Sequence, residues 1–424
     1  MRPSASLAAL LLAAATAVVP AAPAFAQTAP ARAKAETAAE IPCPKPNVAK
    51  PKGIPARPVP PADVPANSVV GGDALATHGL IIPAGAKQPP AVTATTWIVA
   101  DLDTGEVLGA CGPHVYQTPA SVQKTLLAAT VMDKLDPNQT ITAVRSDLDI
   151  EVNSSAVGIV VGGKYKISTL WLGLLLNSGN DAANALARMA AGGGANGVAT
   201  TVAAMNAEAQ RLGAFQTHAV TPSGLDGKGQ FTSAYDLALI ARKDFANADF
   251  RTYVLTKATQ MPAQPQVKQK GFQIQNENKL IFNYPGAMGG KTGFTTVARH
   301  SYVGAAQRNG RRLVVTLLGA EAHPQRGWQQ GASLLDWGFA QPKGQSVGKL
   351  ITPEEVAART ETGSADAQPE SATAANKAAP GIHAGNGPGA TKVMAAGAVA
   401  LVLAGTPLLL LLTQRRRRRP LTRG

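Results

Sequence analysis

Ser121-Val122-Gln123-Lys124 follows Pro119 and opens a run in which Val122, Leu126, Leu127, Val131, Met132 and Leu135 recur at helical spacing, until Asp136-Pro137 stops it. Proline suits the first turn of a helix, so Ser121 is expected near a helix N-terminus. Serine and lysine three residues apart share one helix face, and the ammonium can reach the hydroxyl. To act as a base the lysine must be neutral, whereas an unperturbed amine titrates near ~10.4. Burial or a neighbouring positive charge has to lower it. Such a tetrad arises about once by chance in a chain of this size. Taken alone, it reads more readily as a helix start with a solvated lysine.

Around this helix the periodicity changes. Thr96-Trp97-Ile98-Val99-Ala100 and Glu106-Val107-Leu108-Gly109-Ala110 flank Asp103-Thr104-Gly105 and predict a β-hairpin. Residues 301–307 and 312–318 flank Arg308-Asn309-Gly310 and predict a second one. Residues 170–176, 181–191 and 333–339 carry further helical patterns. Strands first, helices in the middle, strands and a helix last give an α+β class: an antiparallel β-sheet with flanking helices plus a helical subdomain.

Two more short motifs follow the tetrad. Ser178-Gly179-Asn180 lies between two predicted helices, where a hydroxyl and an amide on a turn can orient a proton relay and a substrate amide. The plainer reading is a capping turn before Asp181. Lys291-Thr292-Gly293, preceded by Gly289-Gly290, falls on a predicted strand. Small residues there let a substrate backbone approach closely, and lysine and threonine can bind a carboxylate. The plainer reading is an edge strand on which lysine discourages aggregation.

In this order, SxxK, S-x-N and KTG form the signature of penicillin-binding proteins and serine β-lactamases. The chain resembles the low-molecular-weight D-alanyl-D-alanine carboxypeptidases among the penicillin-binding proteins. The resemblance covers residues 95–339 and is carried also by Leu175-Leu176-Asn177-Ser178-Gly179-Asn180-Asp181, Pro222-Ser223-Gly224-Leu225-Asp226, Gly289-Gly290-Lys291-Thr292-Gly293-Phe294-Thr295 and Leu335-Asp336-Trp337-Gly338-Phe339. It implies acyl transfer on peptidoglycan stem peptides, with β-lactam antibiotics as acylating inhibitors. Ser121 would attack the D-Ala-D-Ala peptide carbonyl and Lys124 would take its proton. Ser178 would pass that proton to the leaving amine, and Asn180 would hold geometry. The N–H groups of Ser121 and Phe294 would form the oxyanion hole. Lys291, Thr292 and Gly293 would bind substrate. Arg326 would meet the terminal carboxylate, with Arg299 as the fallback.

Two other functions share these motifs. A β-lactamase would need a further acid for deacylation, but between residues 184 and 230 the only acids are Glu208, on a helical stretch, and Asp226. A catalytically silent scaffold for cell-wall peptide is the third reading, against which the intact motifs stand. No metal or cofactor is expected: the six histidines show no HExxH spacing, and two cysteines exclude a four-cysteine zinc site.

The ends read as addresses. Arg2, an apolar run over residues 7–19 and Ala24-Phe25-Ala26 have the layout of a signal peptide, residues 1–26. Residues 393–412 are 20 uncharged, mostly apolar residues followed by Arg415 to Arg419. That is long enough for a transmembrane helix, and the arginines of tail 413–424 would hold it with the body outside. No LPxTG-like sorting signal lies upstream, between residues 381 and 392. A Pro-rich linker, 27–67, has nine prolines in residues 42–65. An Ala/Gly/Ser-rich stalk, 344–392, is expected to be flexible, leaving 68–343 as the catalytic domain. The net charge is +14, but seven arginines at the two ends contribute half of it, so basicity does not indicate nucleic acid. Export and just two cysteines predict a Cys43–Cys111 disulfide.

Overall fold

The structure, a computed structural model, describes residues 40–49 and 51–365. The expected signal peptide, most of the stalk, the apolar segment 393–412 and the arginine tail lie outside the described residues. Among the described residues no helix is long and apolar enough to cross a membrane.

The strands in chain order are β1 (Leu80–Ile81), β2 (Thr96–Asp101), β3 (Glu106–Cys111), β4 (Thr140–Thr142), β5 (Lys164–Lys166), β6 (Ala258–Met261), β7 (Phe272–Gln275), β8 (Ala287–Thr295), β9 (Arg299–Arg308), β10 (Arg311–Ala320) and β11 (Gly348–Lys349). The helices are α1 (Pro65–Ser68), α2 (Lys124–Val131), α3 (Ile167–Asn177), α4 (Asn180–Ala190), α5 (Gly197–Leu212), α6 (Ala234–Ala246), α7 (Ala248–Leu255), α8 (Leu280–Asn283), α9 (Gly327–Phe339) and α10 (Pro353–Ala365). One antiparallel sheet has the order β1-β3-β2-β10-β9-β8, with β11 also on β3; β4–β5 and β6–β7 are separate two-stranded ribbons.

Both expected hairpins form. In the first, Asp101 accepts hydrogen bonds from the backbones of Asp103 and Thr104 at 2.9 and 3.1 Å. In the second, Asn309 and Gly310 have φ of 49° and 74°, the two left-handed residues that a tight turn between right-twisted strands requires. The central strands read as unbroken apolar runs because the sheet is covered on both faces. Along β2, Ile98 and Ala100 enter the core shared with α2, α3, α4 and α6, whereas Trp97 and Val99 enter a second core with Leu334, Leu335 and Trp337 of α9. Helices α3, α4 and α5 form the helical subdomain, and the three sequence motifs meet where it faces edge strand β8, which carries Lys291-Thr292-Gly293.

Three expectations need adjustment. The helix expected over residues 122–135 is a 3₁₀ turn at Ala120–Gln123, then α2, then a second 3₁₀ turn at Met132–Lys134. The fold continues beyond Lys343: Gly348 and Lys349 pair with Val107 and Glu106, and Leu350 is fully buried, so the first part of the expected stalk belongs to the body. The Pro-rich arm lies on the body. Cys43 is disulfide-bonded to Cys111, the Leu80 N–H donates to Ile41 O at 2.7 Å, and Arg57 donates to the Gln117 side chain at 2.7 Å.

Candidate active site

Ser121 stands in the 3₁₀ turn that leads into α2, with Lys124 one turn on. Ala120, just before it, has φ 51°, a left-handed conformation unusual for a residue with a side chain. Lys124 is fully buried, and its Nζ lies 2.9 Å from Ser121 Oγ, 2.7 Å from Asn180 Oδ1 and 2.8 Å from Ser223 O. A charged ammonium satisfies all three as acceptors. A neutral amine has two N–H groups, and both are claimed by oxygens that can only accept. Its lone pair is then left for the Ser121 hydroxyl. Burial, and secondarily the positive charge of Lys291, push the Lys124 ammonium well below the usual amine range.

Ser178 ends α3 in the left-handed region, φ 63°, and Asn180 begins α4 two residues later. This tight reversal brings a hydroxyl and an amide from adjacent helices to one place. The second lysine meets them there. Lys291, in the middle of β8 and 1% exposed, donates to Ser178 Oγ at 3.0 Å and to Thr292 O at 2.7 Å. Burial lowers it to about 8. Ser121, Lys124, Asn180, Ser178 and Lys291 thus come together from three stretches of chain: the turn into α2, the α3–α4 reversal and β8. Gly293 lets β8 approach: a Cβ there would lie 2.8 Å from Ser121 N.

In front of this cluster opens a cleft of about 770 Å³, lined by Ser121, Ser178, Thr292, Gly293, Phe294 and Arg326 among others. The two arginines considered for a carboxylate differ sharply. Arg326 is the N-cap of α9, just before Gly327, and lines the cleft. Arg299 is held by Glu321 through bonds of 3.0 and 2.8 Å and does not line it. Nor do the acids weighed for deacylation. Glu208 pairs with Arg211 at 2.6 Å on α5, and Asp226 accepts from Thr295 Oγ1 at 2.9 Å.

Sequence reasoning missed three contributors. Ser223 acts through its backbone oxygen, which no side-chain motif reveals. Asp181 is buried and accepts from the backbones of Val157, Gly158 and Ile159 at 2.8, 2.8 and 3.1 Å, tying that loop to the start of α4. Asp181 stood in the stretch that carries the resemblance and read as a helix-start acid after Asn180, and neither signal gave it this role. Glu277, in the turn after β7, lines the cleft and carried no signal at all.

The sequence profile described as D-alanyl-D-alanine carboxypeptidase matches residues 84–322. The chain is 46% identical over 274 residues to the D-alanyl-D-alanine carboxypeptidase DacB2 of Mycobacterium tuberculosis, covering 63% of this chain and 90% of that one. It is 30% identical over 268 residues to a D-alanyl-D-alanine carboxypeptidase of a Streptomyces species, covering 61% and 91%. Among solved structures, a Mycobacterium tuberculosis D-alanyl-D-alanine carboxypeptidase superposes with a TM-score of 0.59 at 44% identity, over 63% of this chain and 99% of that one. The Streptomyces K15 DD-transpeptidase does so with a TM-score of 0.57 at 29% identity, over 60% and 100%. Motif order, sheet topology and this similarity agree, and the chain belongs to the D-alanyl-D-alanine carboxypeptidase family, serine enzymes that act on D-Ala-D-Ala peptide bonds at the cell wall.

Proposed function

We propose that the protein trims the terminal D-alanine of peptidoglycan stem peptides through an acyl-enzyme on Ser121. The observation that carries this reading is the buried Lys124 amine 2.9 Å from Ser121 Oγ, with its other two partners able only to accept. Neutral Lys124 takes the hydroxyl proton as Oγ bonds to the penultimate D-alanine carbonyl carbon. The carbonyl oxygen becomes an oxyanion, held by the N–H groups of Ser121 and Phe294. The C–N bond then breaks, and the leaving amine receives a proton through Ser178, whose hydroxyl is oriented by Lys291. Water next attacks the ester, giving the shortened peptide and free Ser121. Asn180 holds Lys124 in place. Lys291 and Thr292 attract the substrate carboxylate, and Arg326, which lines the cleft, completes its binding.

A β-lactam enters the same steps, but its leaving amine stays tethered, so the acyl-enzyme persists. The two acids weighed for a β-lactamase do not support one: Glu208 and Asp226 are paired with Arg211 and Thr295, and neither lines the cleft. The exported domain is further proposed to be anchored by residues 393–412, with Arg415 to Arg419 on the cytoplasmic side. Fluorescent penicillin and a pentapeptide ending in D-Ala-D-Ala test the chemistry together. Stable labelling with D-alanine release is expected; rapid loss of label would make it a β-lactamase, and neither signal a silent scaffold. Release of the protein from membranes by truncation after Lys392 tests the anchor.

A further inference from the structure

We propose that Glu277 selects substrates that present a primary ammonium group in the cleft, on a residue upstream of the two D-alanines. The proposal rests on the carboxypeptidase reading and names the substrate class that this site prefers. Glu277 is the sole carboxylate among the residues that line the cleft. Its side chain makes no hydrogen bond or ion pair among the described residues, whereas the carboxylates of Asp181 and Asp226 are both engaged.

The turn that carries it is firmly held. The Glu277 N–H donates to Leu176 O at 3.0 Å, at the end of α3 and two residues from Ser178. On either side the neighbouring side chains are buried. Asn276 Nδ2 donates to Val254 O and Thr256 O at 3.1 and 3.0 Å, and Asn278 Oδ1 accepts from the Tyr302 hydroxyl at 3.1 Å. With both flanking side chains committed inward, Glu277 is left exposed on a preorganised backbone.

The protein's own cations do not satisfy it. Lys124 and Lys291 are committed to their own acceptors. Lys279, which also lines the cleft, lies over the Phe282 ring at 5.0 Å and donates to Asn276 O. A carboxylate left free in a peptide-binding cleft takes a cation from the peptide, and a charge-assisted hydrogen bond there discriminates between a charged amine and its neutral amide.

The negative charge of Glu277 also favours the charged forms of Lys124 and Lys291. That influence acts equally on every substrate, so a ratio between two substrates removes it. Peptides ending in Lys-D-Ala-D-Ala and in Nε-acetyl-Lys-D-Ala-D-Ala should be compared by D-alanine release, with wild-type protein and with Glu277→Gln. The wild type should prefer the free amine by about tenfold in kcat/KM, and the variant should lose most of that preference. Equal rates for the two peptides, or a preference that persists in Glu277→Gln, would overturn the proposal while leaving the carboxypeptidase reading standing. Release from neither peptide by the wild type would instead overturn that reading.

Discussion

Lys124 Nζ lies 2.9 Å from Ser121 Oγ in a site from which the lysine side chain is wholly shielded from water. Proximity supplies the path for the proton and burial supplies the neutral amine. Ser121→Ala should abolish penicillin labelling and D-alanine release while the protein stays folded. Lys124→Ala should lose nearly as much, because groups that act as a unit fail together. Intact-mass detection of the penicilloyl adduct checks both, and an adduct on Ser121→Ala would move the nucleophile elsewhere.

The two buried lysines set opposite limbs of a pH profile. Lys124 must be neutral, so kcat/KM should rise with pH through its lowered pKa. In the carboxylate-binding role proposed for it Lys291 must be charged, and burial lowers its pKa to about 8. Activity should therefore fall on the alkaline side near that pH. Lys291→Arg keeps its charge at all these pH values, so its alkaline limb should shift upward even if the rate at the optimum is lower. An alkaline limb that stays in place in the variant would assign it to another group.

The hairpins, the order of the helices and the three motifs were legible because each depends on local pattern: Asn309-Gly310 forces a turn, and β2 alternates its contacts between two cores. The hydrogen bond between Lys291 and Ser178 was not among the expectations, since 113 residues separate them in sequence. Other parts were not legible. The Ser223 carbonyl has no side-chain signature, and Asp181 looks like any acid in a first helical turn. The described stretch after Lys343 is polar and small apart from Val347, Leu350, Ile351 and Val356, yet β11 pairs with β3 and Leu350 is fully buried. Short strands held by a neighbour's backbone leave little trace in composition.

Arg326 and Arg299 can be separated by experiment because only one is already neutralised. Arg326→Ala should lower kcat/KM about 10- to 100-fold on peptides with a free terminal carboxylate, and much less on the matching C-terminal amides, the loss of one charge-assisted hydrogen bond. Arg299→Ala strands Glu321, with which it shares two bonds, so it should lower thermal stability and spare the carboxylate preference. The reverse pattern would transfer carboxylate binding to Arg299.

Asp181 secures the loop at residues 157–159 with three backbone hydrogen bonds to a buried carboxylate. Asp181→Ala leaves those donors without a partner and should cost about 2–4 kcal/mol of stability, measured by urea unfolding. Asp181→Asn keeps one acceptor oxygen and should recover part of this. Because Asn180 adjoins it and bonds Lys124, acylation by penicillin should slow in both variants, and more in the alanine. Unfolding curves that coincide with wild type would remove Asp181 from any structural part in the site.

Gly293 is where the strand and the nucleophile come closest. A methyl group there would lie 2.8 Å from Ser121 N and 3.0 Å from Val122 N, and these are backbone atoms that cannot rotate aside. Gly293→Ala must therefore push β8 away from the start of α2. The strand is otherwise held along its length by β9, with Gly293 opposite Ser301, so the displacement should be local and the fold should persist. The groups separated by that shift are the N–H donors of Ser121 and Phe294 proposed for the oxyanion, a role that needs a fixed spacing between them. Loss of one oxyanion donor costs about 100- to 1000-fold in rate. Acylation by penicillin should fall by that order, with a melting temperature within a few degrees of wild type. Near-normal acylation in Gly293→Ala would mean that the oxyanion is held by groups other than these two.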